Sequence, residues 1–281
     1  GNIMLDEGYR RLNGEKLGRL SINMKHFNGK IDGLSYRMNL NSGYPVKRDF
    51  VLWENAETGA LRQSETTAAK FRGDYITLDP YISLKNDRYR HDMKIRFRSD
   101  RNRLPDNEKN NSDAISFYSE YQLWYRLFDF LDLTSGFAET YSKVRSEFFG
   151  DHYSLNLAGF AQLEIRPVSR LKAVAGIRIE HYSLDGLSDK IIPILRAGLN
   201  WQAADYTYIR TSFGQGYRFP SIAEKYASTT LGSIKIIPNP NILPEEGWNA
   251  EIGVKQGFLM GNITGQADLS VFLMQNSNLI E

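Results

Sequence analysis

The chain has no cysteine. Disulfide scaffolds, zinc ribbons and thiol nucleophiles are therefore excluded. Histidine is sparse and scattered: His26, His91, His152 and His181 form no H-x-x-x-H or H-E-x-x-H spacing. No protein-built metal site is expected from them. A charge of one sign is also missing. With 35 basic and 33 acidic residues the formal net charge is +2, which is too little for the basic face of a nucleic-acid binder. No apolar run approaches the length of about 18 residues that a transmembrane helix needs. That absence leaves membrane-crossing strands open. A barrel strand crosses in about 9–11 residues and shows lipid only every second one. There is no G-x-S-x-G elbow and no singled-out pair of acid and base carboxylates. Neither an enzyme nor a bound cofactor is expected.

What the chain does have is aromatics, 12% of residues, and a period of two. Over Arg170–Glu180 one face reads Leu171, Ala173, Ala175, Ile177 and Ile179, and the other Arg170, Lys172, Val174, Gly176, Arg178 and Glu180. His152–Arg166 repeats the design, with Tyr153, Leu155, Leu157, Gly159, Ala161, Leu163 and Ile165 on one side. In Trp248–Phe258 the parity switches, and Trp248, Ala250, Ile252, Val254 and Phe258 become the apolar face. Such alternation predicts strands, not helices. We read about thirteen of them, with boundaries good to about two to four residues. Their spans are 17–26, 31–41, 46–54, 71–85, 89–98, 113–127, 130–145, 152–166, 170–183, 190–201, 205–218, 246–258 and 262–277. Pro80 falls inside one span, so a bulge is expected there.

Many spans exceed the usual length of about five or six residues. Short connections, Pro167–Arg170, Gln202–Asp205 and Leu259–Asn262, alternate with long polar ones, 99–113 and 219–245. Strand ends carry Phe27, Trp53, Trp124, Trp201 and Trp248. Long strands, asymmetric connections and aromatic strand ends favour a membrane barrel over a soluble β-sandwich, which would share the alternation. The acidic and amide-rich stretch Asp106, Asn107, Glu108, Asn110 and Asn111 lacks EF-hand spacing and is read as a solvated loop.

The most specific block runs from 206 to 253. Gly214 and Gly216 end a strand, YTYIRTSFGQGYR, and do not open a helix, so a nucleotide loop is excluded. Their expected role is to relieve crowding between neighbouring strands. Pro220 fixes φ and holds Phe219 extended. Ser221 and Glu224 have capping-box spacing for a single helical turn that ends near Tyr226. Asn239, Pro240, Pro244 and Glu245 stiffen the return into GWNAEIGV. Glu251 falls on the polar face and needs a cation, for which Arg210 and Arg218 are the candidates.

This block, G-Q-G-Y-R-F-P-S-I-A-E-K-Y followed by N-P-N-I-L-P-E-E and N-A-E-I-G, resembles the late barrel of TonB-dependent outer-membrane receptors. A weaker likeness extends over Tyr153–Asn200 and upstream into RGDYITLDPYISL. The resemblance implies an all-β, antiparallel transmembrane barrel, present here in part: about 13 of about 22 strands. It implies one domain over 1–281, truncated at both ends, with the plug domain absent. It further implies a Gram-negative outer-membrane location in contact with lipid. The expected activity is active transport of a scarce ligand, an iron–siderophore complex first, energised by the TonB–ExbB–ExbD complex through the missing plug. A passive porin and a soluble β-rich binding module are the alternatives. The residues that contact ligand are not identified by the motif.

Overall fold

The structure, a computed structural model, describes residues 16–49, 69–231 and 234–280. In chain order the strands are β1 (Lys16–Phe27), β2 (Leu34–Asp49), β3 (Ala69–Lys85), β4 (Tyr89–Arg103), β5 (Ser112–Phe128), β6 (Leu131–Ser146), β7 (His152–Val168), β8 (Leu171–Leu184), β9 (Leu187–Ser188), β10 (Ile192–Ala204) and β11 (Thr207–Arg218). A short helix α1 (Ile222–Tyr226) and a small ribbon, β12 (Thr229–Leu231) with β13 (Ile234–Ile236), come next. The last two strands are β14 (Glu245–Met260) and β15 (Ile263–Ser277). All but the β12–β13 ribbon lie in one 13-stranded antiparallel sheet, ordered β1-β2-β3-β4-β5-β6-β7-β8-β10-β11-β14-β15 with β9 on β8. The sheet is not closed: β1 and β15 are its edges.

The register turns the period of two into two continuous faces. Ile22, Leu40, Leu78, Phe97, Phe117, Tyr141 and Leu155 are successive cross-strand partners. Ala197, Phe213, Ala250 and Leu273 continue the apolar face at the other end. The switch of parity in β14 keeps Trp248, Ala250 and Ile252 on this same face. The opposite face carries Arg, Asp, Glu, Ser and Thr. Exposure is inverted relative to a water-soluble fold: Phe137 and Ile252 are each 55% exposed, while Asp92 and Asp132 on the polar face are 4% and 5% exposed. Apolar side chains facing outward and polar ones packed inward are what a lipid-surrounded sheet requires. Among the described residues no second sheet covers the apolar face, so the sandwich geometry is not formed.

Several charged side chains inside are paired. Arg90 meets Asp92 at 2.7 Å, Lys94 meets Glu120 at 2.6 Å and Arg178 meets Glu180 at 2.5 Å. Nearer the short-turn rim, Asp132 lies between Arg126 and Arg166, and Glu164 takes Arg166 and Lys172. Such pairing is the condition for keeping charges out of bulk water.

The connections sort onto two rims. The β5–β6, β7–β8, β10–β11 and β14–β15 turns are two residues each, and three of them carry a register shift next to the turn, at Arg126/Phe128, Ile165/Val168 and Gln202/Ala204. A bulge beside a tight turn absorbs the twist of long strands. The other rim holds the long connections. There the acidic stretch forms a 3-10 turn at Glu108–Asn110.

Two expectations need correction. Residues 31–41 and 46–54 are not two strands: β2 runs unbroken through Gly43, Tyr44 and Pro45, held by β1 at Gly18↔Tyr44 and Leu17↔Pro45. Residues 50–54, with Trp53, lie outside the described residues. Pro80 makes no bulge. Its partner register with β2 is continuous, and the register with β4 is the same on either side, Leu78↔Phe97 and Tyr81↔Lys94. The missing N–H costs local ladder bonds, and strands on both sides pin the register. Beside it, Arg96 donates to Asp79 at 2.7 Å and 3.1 Å, a side-chain link at the gap. The aromatic strand ends divide between the two faces. Trp201 and Trp248 face outward, but Trp124 lies on the polar face under Arg126, at 5.2 Å, and Phe27 lies there under Lys25, at 4.3 Å.

Candidate functional site at the loop rim

The segment after β11 folds back onto the polar face. Pro220 is fully buried, and its ring turns the chain inward. Ser221 caps α1: its Oγ accepts from the Glu224 N–H at 3.2 Å, and its own N–H donates to Glu224 Oε2 at 2.7 Å. The two bonds satisfy two otherwise orphaned donors of a helix too short to stand alone. Ile222 then enters a cluster with Tyr182 and Leu184 of β8, flanked by Val144, Phe149, Phe219 and Tyr226. Phe219 stacks on Tyr182 with ring centroids 4.5 Å apart. Tyr226 stacks on His152 at 3.7 Å, and His152 Nδ1 lies 2.6 Å from Asp185 Oδ2. Asp185 has φ of +52° and also accepts from the Tyr153 N–H at 2.9 Å. The Ser228 N–H donates to the Phe148 carbonyl at 3.0 Å. The helix thus passes over β10 and docks on the rim of β6–β8.

Arg218 joins the two halves of the motif. Its Nε donates to Glu245 Oε2 at 2.7 Å, and its Nη1 donates to both Glu224 oxygens at 2.9 Å and 3.0 Å. One planar guanidinium thereby holds α1 and the start of β14 together. The Ile280 N–H donates to the other Glu245 oxygen at 2.8 Å. Asn239 pins the return: its N–H donates to the Lys225 carbonyl at 2.8 Å, and its side chain accepts from the Asn241 N–H at 3.2 Å. Pro240 lies in the turn that follows. The Pro244 carbonyl accepts from Asn278 at 3.3 Å.

The candidate cations for Glu251 separate. Arg210 takes that role, with Nε 3.4 Å from Glu251, and it also meets Asp268 at 2.8 Å. Arg218 is committed to the rim. Asp268 carried no sequence signal, because β15 pairs with β14 at a distance that only the register reveals. A Cβ at Gly253 would lie 2.9 Å from Arg210 Nε, so glycine there leaves the guanidinium its place. Gly214 faces Asn249 at 3.0 Å on the same test, whereas Gly216 meets nothing within 4 Å. Crowding therefore accounts for Gly214 and not for Gly216. The other rim contacts that sequence reasoning missed, His152, Asp185 and Tyr182, come from strands far from the motif. Among the described residues no three His, Asp or Glu side chains converge on a common point.

Glu224 has its pKa lowered. Burial opposes the charged form, but the Ser221 N–H, Arg218 and the Ser221 hydroxyl outweigh it. A carboxylate whose pKa is depressed on folding stabilises the fold above its unfolded pKa and loses that contribution as pH falls through the folded one. Acidification below the ordinary glutamate range should therefore loosen α1 before the strands separate. Protease cleavage within 219–244, followed against pH, checks this. Glu224→Gln should remove most of the pH dependence, and an unchanged pH profile in that variant would contradict the assignment.

The sequence matches the model of the TonB dependent receptor-like β-barrel family over residues 8–281. The chain belongs to the TonB-dependent receptor family. Solved receptors of similar fold agree. The FrpB iron transporter from Neisseria meningitidis superposes with a TM-score of 0.66 at 14% identity, covering 95% of this chain and 47% of that one. The ferric yersiniabactin uptake receptor FyuA from Yersinia pestis gives 0.61 at 14%, covering 95% and 46%. The ferripyoverdine receptor of Pseudomonas aeruginosa gives 0.63 at 12%, covering 93% and 42%. At such identities the likeness shows the fold. The chain spans less than half the length of these receptors. No curated protein matches it in sequence. The family is one of outer-membrane receptors and transporters, and its barrel is the architecture seen here in part.

Proposed function

We propose that this chain is barrel from an outer-membrane receptor that takes up a scarce ligand, an iron–siderophore complex first, with energy from the TonB–ExbB–ExbD complex. The observation that carries the reading is the rim assembly around Arg218. A passive porin has no need of a loop that is capped, clamped by two carboxylates and packed onto the polar face. An active receptor does need a rim held in one shape, since a preorganised binding surface loses less entropy on binding. Similar solved receptors named for ferric yersiniabactin, ferripyoverdine and iron support iron chelates as the first ligands to test. The paired charges of the polar face suit a wet lumen, and the apolar face suits contact with outer-membrane lipid.

The test is uptake by the full-length parent protein in a Gram-negative host stripped of its own siderophore receptors. Radiolabelled iron should enter with a subset of ferric chelates when TonB is present and stop when it is deleted. Uptake that persists without TonB would favour the porin. Uptake of no ferric chelate would remove iron–siderophore as the ligand class.

A further inference from the structure

The outward face changes character at the long-connection end of β3–β6. Along β5 its outward positions are Ile115, Phe117, Ser119, Tyr121, Leu123 and Tyr125. That run matches the roughly 9–11 residues in which a barrel strand crosses the bilayer. The next outward position beyond Ile115 is Asp113. The register sets it in one row with Asp74, Arg101 and Arg145, so this row alternates in sign and lies past the apolar band. Lys143 stands two residues below Arg145, across from Ile115. One row further out, Arg72 and Arg103 are direct cross-strand partners. Like charges set opposite each other are unfavourable. The two carboxylates do not cover these cations. Arg103 meets Asp113 at 2.7 Å and Arg101 reaches Asp74 only at 4.0 Å, while Arg72, Lys143 and Arg145 make no ion pair among the described residues. Arg72, Arg101 and Arg145 are exposed. The patch is confined to this sector and this end. At the short-turn end Arg90, Arg126 and Arg166 lie on the polar face and pair with carboxylates there. From β7 onward no outward position of the sheet at the long-connection end is Arg or Lys.

We propose that the outward rim of β3–β6 binds the phosphate groups of a lipid in the outer leaflet. In barrels of this kind the long connections lie on the outer side of the membrane, so these rows sit at headgroup height. Arg101 and Arg145 stand two strand spacings apart, about 10 Å between backbones, and Lys143 is about 7 Å along the strand from Arg145. That spread suits a headgroup with more than one phosphate. A guanidinium fork matches phosphate oxygens two at a time. An anion beside Arg72 and Arg103 also relieves their repulsion. The source is membrane lipid and not dissolved phosphate, because the same face continues directly below as apolar surface. Ile76 and Ile115 are 43% and 45% exposed there, and Phe97 and Phe117 follow in the next row, which is where acyl chains below the headgroup would lie. The proposal rests on the outer-membrane reading and not on the identity of the transported ligand.

The experiment uses the full-length receptor in a zwitterionic detergent. It is saturated with an equal mixture of diphosphoryl and monophosphoryl lipid A and washed, and the retained lipid is quantified by mass spectrometry. The wild type should retain the diphosphoryl form over the monophosphoryl form by about fivefold, the scale of one exposed ion pair. Lys143→Gln combined with Arg145→Gln should bring the ratio close to that of the mixture. Asp113→Asn should raise retention, since it frees Arg103 and removes a repelling carboxylate, and a gain cannot come from misfolding. Lys47→Gln removes a cation of the same rim with inward parity and should behave as wild type. Equal retention of the two forms by the wild type, or an unchanged ratio in the double variant, overturns the proposal. So does an equal loss in Lys47→Gln, which would reduce the effect to net charge. Full displacement of the lipid when inorganic phosphate replaces chloride at the same ionic strength overturns it too, since the site would then serve the free ion. Uptake of ferric chelates by the same variants reads the transport function separately, so each proposal can fail alone.

Discussion

Replacing Arg218 by methionine should release the loop between β11 and β14 while leaving the strands paired. The guanidinium is the one cation that Glu224 and Glu245 share. Methionine keeps the length of the stem and removes the charge. The two carboxylates then face each other without a counter-charge, and Glu245 also loses the partner that sits directly across from it in the ladder. The expected readout is cleavage by added protease within 219–244 at least several times faster than in wild type, with the sheet itself intact. TonB-dependent uptake by the full-length protein should fall with it. Arg218→Lys should rescue only in part, because a single ammonium lacks the two separate nitrogens, Nη1 and Nε, that reach Glu224 and Glu245 together. Adding Glu224→Gln to Arg218→Met should recover part of the loss by removing the repulsion. Cleavage at the wild-type rate in Arg218→Met would mean that the Tyr182, Leu184 and Ile222 cluster holds the loop unaided.

The second large effect is expected inside the sheet. Gly136 of β6 stands between Gln122 of β5 and Phe160 of β7. A Cβ added there would lie 2.1 Å from the Tyr121 carbonyl oxygen and 2.7 Å from the Phe160 ring. The first contact is with backbone, which cannot move without breaking the β5–β6 register. Gly136→Val should therefore cost about 3 kcal/mol, at the upper end of overpacking substitutions. The full-length barrel should show a lower urea midpoint in detergent and a smaller folded fraction at the membrane. Gly159→Ala, with nothing near its new methyl, should leave both unchanged. If Gly136→Val assembles like wild type, the strands are less tightly spaced at this point than their register requires.

The two glycines show what a sequence can and cannot convey. They sit on opposite faces of strands of clear period two, and parity alone does not say which one is crowded. Only the neighbouring strand decides which one is crowded. The same line divides the rest of the fold. The parity of each face was legible from alternation, including the switch in β14, because side-chain direction is a property of the single strand. The capping box of Ser221 and Glu224 was legible because it spans three residues. The partner of Arg218 was not, since Glu245 is 27 residues away and becomes its neighbour only through the ladder. That the capped turn would fold against the rim was legible, but which strands it docks on was beyond reach for the same reason. The expected bulge at Pro80 and the expected break before residue 46 erred in the opposite direction. Local composition favoured an interruption, and unbroken pairing with one neighbour, β1 at Pro45 and β2 at Pro80, overrode it.

The path of α1 has a mechanical meaning. A curved sheet can flatten by small rotations at each strand pair, and hydrogen bonds alone resist this weakly. A segment that leaves β11, skips its neighbour and fastens to β6–β8 acts as a chord drawn across that arc. The distance between its ends then cannot grow unless the Ile222 anchor or the Arg218 clamp lets go. Curvature between β6 and β14 is accordingly locked at this rim. Any breathing of the sheet must be taken up at the opposite rim, where the turns are two residues long, or among β1–β5, where no such chord spans the described strands.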